Sequence, residues 1–304
     1  MLQFKQKFIE RYSKLTDIDS FITICNTFLR RSIRVNTLKI SVEELKNRLE
    51  KDWALTQIPW CSEGFWIKHK REERRDIGNL LEHTLGYFYV QEAASMIPPV
   101  VLSPSLHSTV LDMAAAPGSK TTQLAAIMKN TGILVANDND YSRLNALSIN
   151  LERCGVSNAI ITLMQGKNFD VKFDYILLDA PCSGSGTIRK SAKTVRIWNI
   201  NMIKKLANNQ KQLIETAFNC LKENGTLVYS TCSLEPEEDE GVIDWLLNKF
   251  DNAKLEDINI NIKRSNAVEE FDGVKYNPDV KKSLRIWPQD NDTEGFFVAK
   301  IKKI

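Results

Sequence analysis

From about residue 86 the chain alternates apolar strand patterns with amphipathic helical ones, and few folds accommodate that alternation. The strand patterns are STVLDMAAA (108–116), ILVANDND (133–140), NAIITLM (158–164), FDYILLDAP (173–181), GTLVYSTCS (225–233) and GFFVAKIKKI (295–304). Helical periodicity lies between them: from about Lys120, over Tyr141 to Cys154, over Met202 to Leu221 and over 241–250. Gly155 stands where a helix C-terminus favours glycine. FDYILLDAP is almost continuously apolar, as a parallel strand covered on both faces must be. The pattern predicts an α/β fold with a doubly wound, mainly parallel sheet over residues 86–304.

The first 85 residues read differently, as a small α+β domain. Phe4, Phe8, Ile9 and Tyr12 share one helical face. SIRVNTLKI (32–40) reads as a strand, followed by a capping box from Ser41 to Glu44 and a helix with Val42, Leu45 and Leu49 on one face. ALTQI (54–58) and GFWIKHK (64–70) are further strands. The aromatics Phe28, Trp53, Trp60, Phe65 and Trp66 are read mainly as the core of this domain, with RNA stacking as the other use of such rings.

No apolar run reaches the roughly 18 residues of a membrane span, and the N-terminus is charged, so a cytoplasmic protein is expected. The net charge of +3 decides little, but its distribution says more. Arg30, Arg31 and Arg34 form one basic cluster, 68–75 a second, and Arg189, Lys190, Lys193 and Arg196 a third. Such clusters suit a phosphate backbone. None of the six cysteines forms a C-x-x-C pair and the three histidines lack ligand spacing, so no metal site is expected. Cys25, Cys61, Cys154 and Cys220 are read as small buried hydrophobes.

In doubly wound sheets ligands bind beyond the carboxyl ends of the strands. The first strand of this part ends in Asp112-Met-Ala-Ala-Ala-Pro-Gly-Ser-Lys-Thr121, whose small residues allow close backbone approach. The second ends in Asn137-Asp138, an acid placed to bind ribose hydroxyls. The fourth ends in Asp179-Ala-Pro-Cys182 and the fifth in Ser230-Thr-Cys232. A P-loop is excluded because Ser119 separates Gly118 from Lys120 and Met113 holds the position of the first glycine. No G-x-G-x-x-G follows the first strand either. If the fourth and fifth strands are neighbours, their ends lie about 5 Å apart, bringing Cys182 and Cys232 to one pocket beside Asp179.

These segments, together with RVNTLK (34–39), YVQEAASM (89–96), YSTCSLEPEEDE (229–240) and GFFVAKI (295–301), resemble the Nop2/Sun family of RNA (cytosine-5) methyltransferases. The compact layout is most similar to the archaeal tRNA members. The resemblance implies a Rossmann-like domain that binds S-adenosyl-L-methionine and acts on RNA, with tRNA the expected substrate. An rRNA substrate, a DNA substrate and a non-catalytic RNA-binding factor of the same fold are the alternatives. It implies that Ala114, Ala115, Ala116, Pro117, Gly118, Ser119 and Lys120 line the cofactor site, that Asp138 and Arg143 take the ribose, and that Asp179 lies between cofactor and base. Cys232 would be the nucleophile and Cys182 would assist product release. Where the family usually supplies an acid near adenine, this chain has Met164-Gln165-Gly166, leaving Gln165 as the contact. Cys232 must act as a thiolate, which needs a cationic or amide-rich setting, and Lys120 is the candidate cation. No PUA-type segment is recognisable in the 304 residues, so RNA selection is expected to rest on the N-terminal domain and the basic clusters. The need for a helper protein is left open.

Overall fold

The computed structural model describes residues 2–74 and 76–304; Arg75, the last member of the second basic cluster, lies outside the described residues. Strands β1 (Ser32–Val35), β2 (Trp53–Gln57), β3 (Gly64–His69) and β4 (Phe88–Val90) form an antiparallel sheet in the order β2-β3-β1-β4. Strand β1 is shorter than the 32–40 pattern because Asn36 bends the chain away. Its Nδ2 donates to the carbonyls of Gly86 and Cys154, both at 2.8 Å. The sheet also draws β4 from beyond residue 85, so it extends further along the chain than the boundary read from sequence. Ser41 caps the helix Val42–Leu49 reciprocally with Glu44, and Leu45 and Leu49 close the core over Ile33, Trp53, Phe65 and Phe88.

Trp53 and Phe65 are buried in the core of the small domain, whereas Trp60 is buried against Met96, Ile97 and Val101 in a cluster shared with the second half of the chain. Trp66 is half-buried under the Arg30 guanidinium, 3.8 Å from the ring centroid. Phe28 is exposed. The first two helices, Gln6–Tyr12 and Ile18–Cys25, do not join the small sheet's core. Phe8, Tyr12 and Phe21 pack instead with Ile188, Val195, Trp198, Leu234 and Trp287 of the second half.

The large sheet contains β5 (Thr109–Asp112), β6 (Ile133–Asp138), β7 (Ala159–Leu163), β8 (Phe173–Asp179), β9 (Leu221–Thr231) and β10 (Ala253–Glu256). After a hairpin of β11 (Glu270–Phe271) and β12 (Val274–Lys275) come β13 (Leu284–Ile286) and β14 (Phe296–Lys303). The order is β10-β14-β9-β8-β5-β6-β7, with β13 paired to β14. Strands β5 to β9 run parallel, and β14 returns antiparallel to β9. The fold is therefore the expected Rossmann-like α/β arrangement. The chain winds outward from β5 to β7 and then restarts at β8, so the crevice opens where the order reverses, between β5 and β8. Asp140 caps the helix Tyr141–Cys154, which ends at Gly155 with φ 72°. Among the described residues no helix is long and apolar enough to cross a membrane.

Two members of the basic clusters are not surface charges. Arg34 is buried and donates to the Ser119 carbonyl (2.7 Å), to Thr122 Oγ1 (2.8 Å) and to Gln91. It fastens β1 to the helix Ser119–Ile127 and is withdrawn from any phosphate. Arg189 turns inward to Asp292 at 2.7 Å and to the Thr293 carbonyl. Arg31, Lys190, Lys193 and Arg196 remain exposed.

The residues after β9 form a buried charged layer. Arg285 donates to Asp239, Glu240 and the Leu234 carbonyl, with all three side chains excluded from water. Removing one partner of such a group strands the others without solvent. Arg285→Met should destabilise the chain by about 3–5 kcal/mol, read as a lowered midpoint in urea unfolding.

Candidate active site

Several parallel strands end in polar residues at the crevice, among them Asp138 of β6 and Asp179 of β8. Strand β5 ends at Asp112, and the chain then turns through 113–118 into the helix Ser119–Ile127. Gly118 makes the turn at φ 103°, and a Cβ there would stand 3.0 Å from Leu147 Cδ1. Asn137, at the end of β6, donates to the carbonyls of Met113 (3.1 Å) and Met164 (3.0 Å), tying three strand-end loops together. The Asp138 carboxylate accepts from the backbone N–H of Ala116 (3.2 Å) and Asp140 (3.1 Å), with Arg143 Nη1 at 3.2 Å.

Strands β8 and β9 are neighbours in register, with Asp179 opposite Ser230. Ser230 Oγ donates to Asp179 Oδ1 at 2.7 Å, and Lys120 Nζ meets Asp179 Oδ2 at 2.6 Å while also bonding Ser95 Oγ at 3.0 Å. Burial opposes the charge on Lys120, but Asp179 outweighs it and raises the ammonium above its ordinary value. Just past the strand ends the Sγ atoms of Cys182 and Cys232 stand 3.1 Å apart. The hydrogen bond to Cys232, and then burial, push the Cys182 thiol well above its ordinary range. Cys25, Cys61, Cys154 and Cys220 are buried elsewhere, and burial pushes Cys25 and Cys61 up to about 12.

A cavity of about 270 Å³ joins these groups. Ala114, Ala116, Asp138, Arg143, Gln165, Asp179, Cys182 and Cys232 line it. Ala115, Pro117, Gly118, Ser119 and Lys120 do not. Ala115 packs on Leu147 and Leu151, the Pro117 carbonyl accepts from Asn150, and the Ser119 carbonyl accepts from Arg34. Lys120 reaches the site through its pair with Asp179. Lining residues that the sequence reading did not single out include Asn139, Lys167, Asn209 and Leu213. Asn209 and Leu213 are one turn apart on the helix Ile200–Asn219, a spacing that marks a shared face without marking which cavity it meets. Ser230 stands two residues before Cys232, where only the β8–β9 register reveals its bond to Asp179. A wider cavity of about 480 Å³, lined by Trp60, Glu63, Val100 and Ile260, contains none of these strand-end groups.

Beneath the site, Asp112 Oδ2 accepts from Thr121 Oγ1 at 2.7 Å, and burial lifts this carboxyl to about 7. The folded chain keeps a proton that an unfolded chain releases near pH ~4. The stabilisation is complete below that value and is lost as pH rises towards 7. Asp112→Asn should flatten the fall in unfolding free energy from pH ~4 to pH ~7, checked by urea titrations across that window.

The family model described as 16S rRNA methyltransferase RsmB/F matches residues 99–302, and the N-terminal domain of 16S rRNA methyltransferase RsmF matches residues 4–93. Over 98% of its length the chain is 49% identical to tRNA (cytosine(49)-C(5))-methyltransferase of Pyrococcus abyssi, covering 96% of that protein. It is 47% identical to ribosomal RNA small subunit methyltransferase F of Vibrio atlanticus over 95% of the chain, but spans only 60% of that relative. Among solved structures, a methyltransferase homologue from Pyrococcus horikoshii overlays all of the chain with TM-score 0.89 at 38% identity, covering 96% of that chain. NSun6 from the same organism, solved with SFG, overlays 99% of both chains with TM-score 0.87 at 26% identity. Matched over most of its length by the family model and nearly coextensive with a close relative, the chain belongs to the RsmB/F, or Nop2/Sun, family of methyltransferases.

Proposed function

We propose that this enzyme transfers a methyl group from S-adenosylmethionine to carbon 5 of cytosine in tRNA, with Cys232 as nucleophile and Cys182 assisting release. The observation that carries the reading is the cysteine pair, two sulfurs 3.1 Å apart in the wall of a cavity that also exposes Asp138 and Asp179.

The cavity's residues fit S-adenosylmethionine. Asp138 offers a carboxylate, oriented by two backbone amides, to a ribose diol, and Arg143 pairs with it. Ala114 and Ala116 leave room for backbone approach, and Gln165 can both donate and accept. SFG, bound in one structural relative, is an analogue of S-adenosylmethionine. When bound, the cofactor supplies an electrophilic methyl group.

Carbon 5 of cytosine is a weak nucleophile. Addition of the Cys232 thiolate to carbon 6 turns the ring into an enamine, splitting one hard step into easier ones. Lys120 is the nearby cation, since Cys232 is among the groups that raise its ammonium. Cys182, whose thiol is pushed up and held neutral, shares a hydrogen bond with Cys232. The Asp179–Lys120 pair holds a proton where ring N3 gathers charge. After methylation the carbon 5 proton passes to a solvent water acting as base, its bonding electrons restore the ring double bond, the carbon 6–sulfur bond breaks and the Cys232 thiolate is regenerated. Cys182 stands where it can organise that proton transfer. The base must leave its stack to enter, at a cost of a few kcal/mol. Arg31, Lys68, Arg71, Lys190, Lys193 and Arg196 are among the exposed charges that suit the RNA backbone.

The tRNA reading rests on a relative of nearly equal length. Similar identity to a longer rRNA enzyme supports rRNA as the second reading. Methyl transfer from labelled S-adenosylmethionine to unmodified tRNA and, separately, to rRNA separates the two. 5-Methylcytidine in tRNA alone is the expected result, and label in rRNA alone would overturn the substrate while keeping the chemistry. Cys232→Ala should abolish turnover with cofactor binding intact. Cys182→Ala should accumulate a protein–RNA adduct that survives a denaturing gel; its absence would sink the release role.

A further inference from the structure

The acidic run that follows Cys232 takes no direct part in the chemistry above, yet Glu235, Glu238, Asp239 and Glu240 are buried. Glu238 is fully buried and lies outside the cavity lining. Its Oε2 accepts from the Ser183 backbone N–H and from Gln210 Nε2, both at 2.9 Å. Its Oε1 accepts from Ser233 Oγ at 3.1 Å. Ser183 is the covalent neighbour of Cys182, and Ser233 is the covalent neighbour of Cys232. Gln210 also donates to the carbonyl of Pro181, on the other side of Cys182, at 2.9 Å. The two serine hydroxyls meet at 3.2 Å beneath the sulfurs.

We infer that Glu238 is a positioning residue: one carboxylate bridges the two cysteine-bearing loops and sets the separation of Cys182 and Cys232. The inference rests on the covalent reading of the cysteine pair. Glu238 touches neither sulfur, so it acts only through the loops. It is itself held by Tyr229, whose hydroxyl donates to the Glu238 carbonyl at 2.6 Å, and by its neighbour Asp239, bound to Thr231 and Arg285. The bridge therefore connects the ends of β8 and β9 to a part of the core that cannot shift without breaking buried bonds. Without Glu238 the Ser183 amide and the Gln210 amide lose a buried acceptor; the Gly186 N–H to Cys232 carbonyl bond (2.9 Å) and the Leu234 N–H to Ser185 Oγ bond (2.8 Å) also cross between the loops, but neither ends on the backbone next to Cys182. A misplacement of about 1 Å in reacting groups costs about 100-fold in rate. Glutamine can replace the bridge, because its carbonyl can take the Ser183 and Gln210 donors while its amide meets Ser233 Oγ.

The test is the rate of covalent adduct formation on RNA carrying 5-fluorocytidine, with S-adenosylmethionine bound. Fluorine at carbon 5 blocks elimination, so the readout is independent of release. Glu238→Ala should slow adduct formation about 100-fold with cofactor affinity unchanged, and Glu238→Gln should recover most of it. Wild-type adduct formation by Glu238→Ala would overturn the bridge. Glu238→Gln as slow as Glu238→Ala would also overturn it, because charge and not bridging would then be what matters. If Glu238→Ala does not fold, judged by lost cofactor binding, Ser233→Ala decides. That variant cuts one link and should slow the adduct about tenfold, the equivalent of one buried hydrogen bond, whereas a wild-type rate would reject the proposal. Cys232→Ala in parallel keeps the two ideas apart. An adduct in that variant defeats the nucleophile assignment, while its loss alongside a normal Glu238→Ala defeats the bridge alone.

Discussion

The site depends on a buried electrostatic layer made by residues 235–240 and two arginines from distant parts of the chain. Arg285 compensates Asp239 and Glu240, and Arg11 compensates Glu235 and Glu237. Carboxylates this deep persist only when paired and hydrogen-bonded. Burial still drives Asp239 well above its ordinary value despite Arg285 beside it. Because every oxygen of Glu235 and Glu238 already has a partner, the loop after β9 has little freedom, and the sulfur it carries inherits that restriction.

The same layer explains why the N-terminal helices leave the small domain. Arg11 and Tyr12 lie on the helix Gln6–Tyr12 and both bond Glu235, which also accepts from Trp198 Nε1 at 2.8 Å. Around this polar centre Phe8, Tyr12, Phe21 and Trp287 stack in an aromatic cluster. Arg34 makes a second fastening, from β1 to the turn and helix that carry Lys120. The small sheet and the large sheet are therefore joined at points that lead directly to the groups around the strand-end cavity. Lys120, Ser95, Asp179 and Ser230 come from four separate segments and meet in one chain of hydrogen bonds.

The two sulfurs stand in different surroundings. Cys182 and Cys232 are each partly exposed, but Cys182 additionally feels the Glu238 carboxylate, which favours its neutral form. Cys232 instead shares the neighbourhood of the Lys120 ammonium. Two identical side chains thus have different charged neighbours.

The local alphabet of the fold was written plainly in the sequence. The continuous apolar run at β8, the capping box at Ser41, and Gly155 closing its helix each follow from short-range rules of periodicity, capping and backbone freedom. The strand-end motifs were equally legible, because ligands of a doubly wound sheet bind beyond the carboxyl ends of its strands. What remained hidden depends on partners far apart in the chain. Nothing in RSIRV shows that Arg34 turns inward to the Ser119 carbonyl while Arg31 stays outside, and nothing in MAAAPGSK shows that only Ala114 and Ala116 of the alanine run reach the cavity. The sequence by itself determined the α/β class, the family and the residue types available for chemistry, because these rest on patterns local to each element. Only the tertiary structure decided which charges are buried, which small residues face the cavity and how one carboxylate joins two cysteine loops, because burial and pairing are properties of neighbours that the linear order does not adjoin.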